Sequence, residues 1–235
     1  MEFTLLGAVF VGILPLYAML YWEAKRGNAA DCARNLWDIA LGAVVTGLFI
    51  GRLAAMVADG VNPLMNPGDI LIVRGGVATG PAVVATLITV AWLGRDSLWT
   101  VFDAIAAAAL AGLAGWHAGC VVRGTCLGTP SDLPWALAQE GSPITRHPVE
   151  IYAALLLGAA AVAIAMWRAR GRPASGIPAG IALATAALVR LATEPLRPSL
   201  GSGPVAWYVA GALAGAGLAV WSWRRISAQP ATDSR

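Results

Sequence analysis

The chain has 235 residues, 58% of them hydrophobic and only 12% charged, with a mean hydropathy of +0.68. That balance lies outside the range of soluble domains and points to a bilayer. The formal net charge of +3 is spread over the ends of apolar stretches, a topological pattern that gives no reason to invoke nucleic acid.

Seven stretches approach the roughly 20 residues that cross a bilayer: 3–22, 37–57, 77–94, 101–121, 149–167, 177–195 and 204–223. They predict an all-α membrane protein with seven transmembrane helices in a single polytopic domain, 1–225. The polar residues 226–235 read as a disordered cytoplasmic tail. Gly, Pro and Thr interrupt the third and sixth stretches, as membrane helices tolerate. The first stretch follows Met-Glu, not a basic segment, and no small-residue cleavage site succeeds it, so it reads as an anchor.

Basic residues set the orientation. Lys25, Arg26, Arg34, Arg95, Arg168, Arg170, Arg172, Arg224, Arg225 and Arg235 all fall on one side of the predicted spans. The positive-inside rule makes that side cytoplasmic, with the amino terminus outside and the carboxyl terminus inside. Trp22, Trp37, Trp92, Trp99, Trp167, Trp221 and Trp223 flank the spans, mostly on the same side, as interface anchors. The other arginines, Arg52, Arg74, Arg123, Arg146, Arg190 and Arg197, fall toward the outer ends. Charge held there against the topological bias calls for anionic headgroups or buried carboxylates.

Between Gly51-Arg52 in span two and span three lies Arg74-Gly75-Gly76, where a glycine pair can offer backbone N–H groups to an anion; such pairs also serve helix packing. The longest outer loop, about Cys120 to His147, joins spans four and five. It is rich in Gly, Pro, Ser and Thr, and loops of this kind are more often functional than connecting. Leu133 and Trp135 suit the membrane surface. Gly124 and Gly128 permit close backbone approach. Cys120 and Cys126, six residues apart, have no metal-ligand spacing and either pair as a disulfide in an oxidising compartment or remain inert thiols. Cys32, in a cytoplasmic loop, should stay reduced. No metal or cofactor is expected.

Arg146-His147-Pro148-Val149-Glu150-Ile151-Tyr152 opens span five. Pro148 and Glu150 are also what a helix start requires. Arg146 and His147 are less well explained that way, and an imidazole beside a cation and a carboxylate is a candidate proton acceptor. In Leu183–Arg197, an apolar helix carries Arg190, Glu194 and Arg197 at i, i+4 and i+7, on one face. Two guanidiniums around a carboxylate suit a lipid-phosphate site; a structural ion pair at a helix end is the plainer alternative.

These separated segments together resemble the prolipoprotein diacylglyceryl transferases, seven-span enzymes of the bacterial inner membrane. The resemblance rests on Tyr17 in PLYAML, Asp38 in WDIALG, Gly51-Arg52-Leu53, Gly75-Gly76, Asp103, and Gly119, Gly124 and Gly128 in their spacing. It continues through Leu133-Pro134-Trp135, Arg146-His147-Pro148 with Glu150 and Tyr152, and Arg190 with Glu194 and Arg197. The departures are as specific. The His expected after the double glycine is Gly80. In the signature before span five, His117 stands for Arg, Cys120 and Arg123 for two Asn, and Thr125 for Glu. The Tyr of the span-six motif is Ala186.

The resemblance implies transfer of the diacylglyceryl group of phosphatidylglycerol to the lipobox cysteine thiol in a prolipoprotein signal peptide, forming a thioether and releasing glycerol phosphate. It implies catalytic roles among Arg190, Glu194, His147, Glu150 and His117, with no ranking of the bases. Tyr17, Arg52, Arg74, Gly75, Gly76, Gly119, Arg123, Gly124, Gly128, Arg146, Tyr152 and Arg197 are the implied substrate-binding residues. The partners would be phosphatidylglycerol, the prolipoprotein and membrane lipids. The alternatives are a divergent member acting on another lipid or acceptor, and a non-catalytic protein that binds lipid or lipoprotein precursors. Transport is disfavoured, since no internal repeat is evident.

Overall fold

Each apolar stretch folds into a helix, the form that satisfies backbone polar groups within a single segment in lipid. The computed structural model describes residues 4–26, 35–71, 76–123, 127–139, 141–171, 173–198 and 203–227. Their elements are α1 (Thr4–Lys25), α2 (Leu36–Ala58), the short α3 (Gly68–Leu71), α4 (Thr79–Leu93) and α5 (Leu98–Arg123). A two-residue antiparallel pair, β1 (Leu137–Ala138) and β2 (Thr145–Arg146), precedes α6 (Val149–Gly171), α7 (Ile177–Thr193) and α8 (Val205–Ser227). The expected tail lies largely outside the described residues.

Among the described residues, five helical segments are long and apolar enough to cross a membrane: Leu36–Ala58, Arg95–Cys120, Val149–Gly171, Ile177–Leu196 and Val205–Arg225. The protein is therefore a multi-pass membrane protein of helical class. α1 is a further apolar helix of 22 residues. α4 has only 15, about 22 Å at 1.5 Å per residue, because its helix starts at Thr79 and stops at Gly94.

Small residues let three helix pairs approach backbone to backbone, the contact that replaces hydrophobic driving force in lipid. In the α1–α5 seam, a Cβ on Gly12 would stand 3.3 Å from the Gly112 carbonyl oxygen, and one on Gly115 would collide with Val11 and Pro15. Gly180 and Gly215 form the equivalent seam between α7 and α8. Between α2 and α4, the Ala78 N–H donates to the Gly51 carbonyl at 2.9 Å and Thr86 Oγ1 to that of Ala43 at 3.3 Å. α5 is central. One face packs with α6 and α7 through Ala107, Leu110, Ala153, Leu157 and Ala161, and another packs with α1 and α2 through Val101, Ile105, Leu16, Ile39 and Ala43.

Two polar devices fasten the end of the bundle where α5 and α7 begin. Asp103 on α5 accepts the N–H groups of Gly176 (2.7 Å) and Ala179 (2.9 Å). It thus caps α7 from a neighbouring helix, since Gly176, at φ +90°, supplies no side-chain cap. Glu23 of α1 meets Arg168 of α6 at 2.5 Å, both buried. Arg168, one of the bases that mark the cytoplasmic side in the sequence, thus has its charge matched inside the bundle. Other bases of this end lie over aromatic rings. Lys25 covers Tyr21, Arg26 covers Trp22, Arg95 covers Trp92 and Arg225 covers Trp221, at 4.0–5.7 Å.

Candidate functional site

At the opposite end, three helix termini bring five ionisable side chains together. His117 comes from the last turns of α5 and Glu150 from the first turn of α6. Arg190 comes from the last turn of α7, and a 3-10 turn, Glu194–Leu196, follows with Arg197 just beyond it. Pro195 has no N–H to continue the helix, so the chain tightens there and keeps Glu194 and Arg197 on the face of Arg190.

Glu150 is the hub. Its Oε2 lies 2.5 Å from His117 Nδ1 and 3.5 Å from Arg190 Nη1, and its Oε1 lies 3.3 Å from Arg197 Nη2. Glu194 Oε2 lies 3.8 Å from Arg190 Nη2 and 3.5 Å from Arg197 Nη1. Two guanidiniums thus share two carboxylates, and the ionic charge of the four balances. His117, Glu150 and Glu194 are buried; the Arg197 side chain is 38% exposed and that of Arg190 13%. The contacts are loose for charged partners, which prefer about 2.7–2.9 Å. Arg190 Nη1 and Glu194 Oε2 make no hydrogen bond among the described residues. Tyr208 of α8, unflagged by the sequence, supports Arg190 with its ring 5.6 Å from the guanidinium and its hydroxyl 3.5 Å from Nη2. Gly203, at φ +56°, presses its backbone so close to the Glu194 carboxylate that a Cβ would collide with it.

The backbone behind this cluster is clamped. The Gly128 N–H donates to the His147 carbonyl at 2.7 Å and the Thr129 N–H to the Leu196 carbonyl at 2.8 Å. A side chain on Gly128 would strike Leu196 and Val149. Gly128 and Thr129 therefore tie the long loop to the residues just before Glu150 and just before Arg197. Arg146 helps by donating from Nη1 to the Gly128 carbonyl at 3.2 Å.

Other sequence candidates lie elsewhere or are otherwise engaged. His147 is held through its backbone and packs edge-on against Tyr152 at 6.2 Å, and its Nδ1 has no hydrogen-bond partner among the described residues. The Tyr152 hydroxyl accepts Trp135 Nε1–H at 2.7 Å, which seats the hairpin on α6. Arg52 is buried and donates to backbone carbonyls, twice to Asp69 (3.1 and 2.9 Å) and once to Gly76 (3.2 Å). It organises the loop before α4, in contrast to the anion-facing guanidinium expected. Tyr17 stacks with Tyr21 and meets Trp37 edge-on at 5.0 Å, toward the other end of α1, away from the cluster. Gly119 is buried in α5 between His117 and Cys120. Arg74, Gly75, Gly124, Thr125, Cys126 and the side chain of Arg123 lie outside the described residues.

The departures from the family pattern have structural counterparts. At Gly80 the missing side chain leaves room for the Trp207 indole of α8, which a Cβ would strike. His117 bonds to Glu150. Cys120 is disulfide-bonded. Ala186 packs against the α5–α6–α7 core.

Comparison with known proteins agrees with this pattern across the chain. A family model described as prolipoprotein diacylglyceryl transferase matches residues 7–223. A protein of Pseudomonas paraeruginosa named phosphatidylglycerol–prolipoprotein diacylglyceryl transferase is 27% identical over 94% of this chain and 89% of its own length. Its namesake in Solidesulfovibrio magneticus is 30% identical over 86% of this chain and 81% of its own. That of Agrobacterium fabrum is 32% identical over 69% of this chain and 59% of its own.

Proposed function

The chain belongs to the prolipoprotein diacylglyceryl transferase family, and on that premise we propose that it transfers the diacylglyceryl group of phosphatidylglycerol to the thiol of a lipobox cysteine. A carbon–sulfur bond forms as the carbon–oxygen bond to phosphate breaks, and glycerol phosphate leaves. The observation that carries the reading is the loosely held Arg190–Arg197 pair beside the His117–Glu150 hydrogen bond.

The phosphate gains charge as it departs, and guanidiniums fixed beside it stabilise that charge. Arg197 is partly exposed, and Arg190 Nη1 has hydrogen-bonding capacity to spare. A phosphate oxygen can therefore exchange for a carboxylate oxygen at either cation. Glu194 and Glu150 position the two arginines in the meantime.

The thiol must lose its proton, since the thiolate is the nucleophile. His117 takes that role. Its Nδ1–H donates to Glu150, which leaves the Nε2 lone pair for the thiol proton, as an oriented histidine does in other nucleophilic sites. His147, held by its backbone against Tyr152, is assigned to loop structure. Arg146, Gly128 and Tyr152 act through the clamp, while lipid binding is assigned to Gly119, Arg123, Gly124, Arg74, Gly75 and Gly76. Tyr17 and Arg52 serve packing.

In the bilayer, α1 and α4 join the other five helical segments to make seven spans in the inner membrane, with the amino terminus outside. The disulfide at the site end agrees with an oxidising outer compartment, and the base-on-aromatic pairs of the other end agree with the cytoplasmic face. The test is mass transfer in proteoliposomes of phosphatidylglycerol and a lipobox peptide. Wild type should add a diacylglyceryl mass to the peptide, and Arg190→Ala should slow this by about 100-fold or more. Lipid binding without thioether formation, where a relative works under the same conditions, would overturn the proposal.

A further inference from the structure

The β1–β2 hairpin lies outside the spanning helices, yet Leu133, Trp135, Leu137 and Ile144 all stand exposed on it. Apolar groups gathered on a loop mark a contact surface. Between Asp132 and Arg146 the sequence holds a single ionisable residue, Glu140, far fewer than a water-facing hairpin carries. The strand register pairs Leu137 with Arg146, and Ile144 is two residues from Arg146, so Leu137 and Ile144 share one face. Several backbone N–H groups are satisfied within the loop itself. Leu133 donates to Ser131 Oγ (3.3 Å), Ala136 to the Leu133 carbonyl (2.9 Å), Ser142 to the Gln139 carbonyl (2.9 Å) and Ile144 to Ser142 Oγ (3.2 Å). Such self-sufficiency is what a segment needs where water is scarce.

The hairpin's height is fixed by Trp135. Its indole N–H donates to the Tyr152 hydroxyl at 2.7 Å, in the first turn of α6, and the ring is still 55% exposed. Tyr152 shares a helix face with Leu155 and Leu156, three and four residues on. Both are exposed, on a helix long and apolar enough to span a membrane. An apolar surface therefore runs from the lipid-facing flank of α6, past Tyr152, onto Trp135. We propose that the hairpin is an interfacial anchor, seated through Trp135, Leu137 and Ile144 in the bilayer leaflet nearer the Glu150 cluster. An aromatic ring with its polar group satisfied suits the boundary between headgroups and acyl chains. Glu150 precedes Tyr152 by two residues, about 3 Å along the helix axis, so the seated hairpin holds Glu150, Arg190 and Arg197 level with lipid phosphates. The seating stands apart from the transferase reading; only the use of that depth by a reacting phosphate rests on it.

A fluorescent amino acid introduced at Ile144, and separately at Leu137, in the full-length protein in phosphatidylglycerol nanodiscs reads the depth. Lipids brominated high on their acyl chains should quench it and iodide in the buffer should not; the same probe at Leu155 calibrates quenching by lipid. Ile144→Asp should reverse the pattern at Leu137, losing bromine quenching and gaining iodide quenching. Thermal unfolding of that variant should stay near wild type, because the side chain is exposed. A probe quenched by iodide alone would overturn the proposal. So would one shielded from both quenchers, which would place the hairpin against the protein itself. A probe that becomes shielded from iodide only when a lipobox peptide is added would make the peptide's apolar segment the occupant and overturn it too. No peptide transfer is needed for these readings, so a protein that fails the transferase test can still pass this one, and the reverse.

Discussion

Glu23 and Arg168 meet at 2.5 Å, whereas Arg190 and Arg197 at the opposite end divide themselves between Glu150 and Glu194 at 3.3–3.8 Å. Both groups place charges inside a helical bundle, where an unmatched ion is costly. The first fixes α1 against α6 at hydrogen-bond distance. In the second, no guanidinium belongs to one carboxylate, so a third anion can enter by rearrangement without stripping any ion bare. Balanced charge therefore does not distinguish a strut from a site; distance does.

The comparison can be broken most severely at the strut. Arg168→Ala removes the guanidinium held 2.5 Å from the fully buried Glu23 carboxylate and should cost about 3–5 kcal/mol, while Arg168→Met combined with Glu23→Leu should recover most of it. Thermal unfolding in detergent reads both, and a single variant as stable as wild type would refute the strut. At the shared cluster the pattern should invert. Glu150→Gln keeps the shape but removes the hub's charge, and should lower the single-turnover transfer rate by about 100-fold while unfolding closer to wild type than Arg168→Ala does. Gly80→Ala forces the Trp207 ring aside and should cost about 1–3 kcal/mol. Pairing it with Trp207→Ala should relieve the clash, seen as non-additivity in a double-mutant cycle. The smallest effect should come from Asp103→Ala, at about 1 kcal/mol, with faster amide exchange confined to the first turn of α7.

What was legible in the sequence followed chain-local periodicity. The helices and the common face of Arg190, Glu194 and Arg197 follow from hydropathy and the 3.6-residue turn, and the structure keeps them. Glu150 and His117 were visible as candidates, but their meeting depends on how α5 and α6 cross, which no local spacing encodes. Arg52 was read as a charge seeking an anionic headgroup or a carboxylate, and Arg168 as a mark of the cytoplasmic side, because a topology rule counts charges without partners. One donates to backbone carbonyls 17 and 24 residues away, and the other reaches Glu23 across 145 residues. Tyr208 carried no signal, since an aromatic near the start of an apolar helix looks like any interface residue. Asp103 was visible in the family pattern, but its task as the cap of a distant helix was not.

The α1–α5 seam has a consequence for biogenesis. α1 leaves the ribosome first, yet it packs most extensively on α5, so it must wait in lipid while the intervening segments are made. During that interval the grooved face around Gly12, later filled by the backbone of α5, is covered only by acyl chains. A nascent chain halted before α5 would therefore hold an inserted helix without its mate, the kind of orphan that membrane quality control removes.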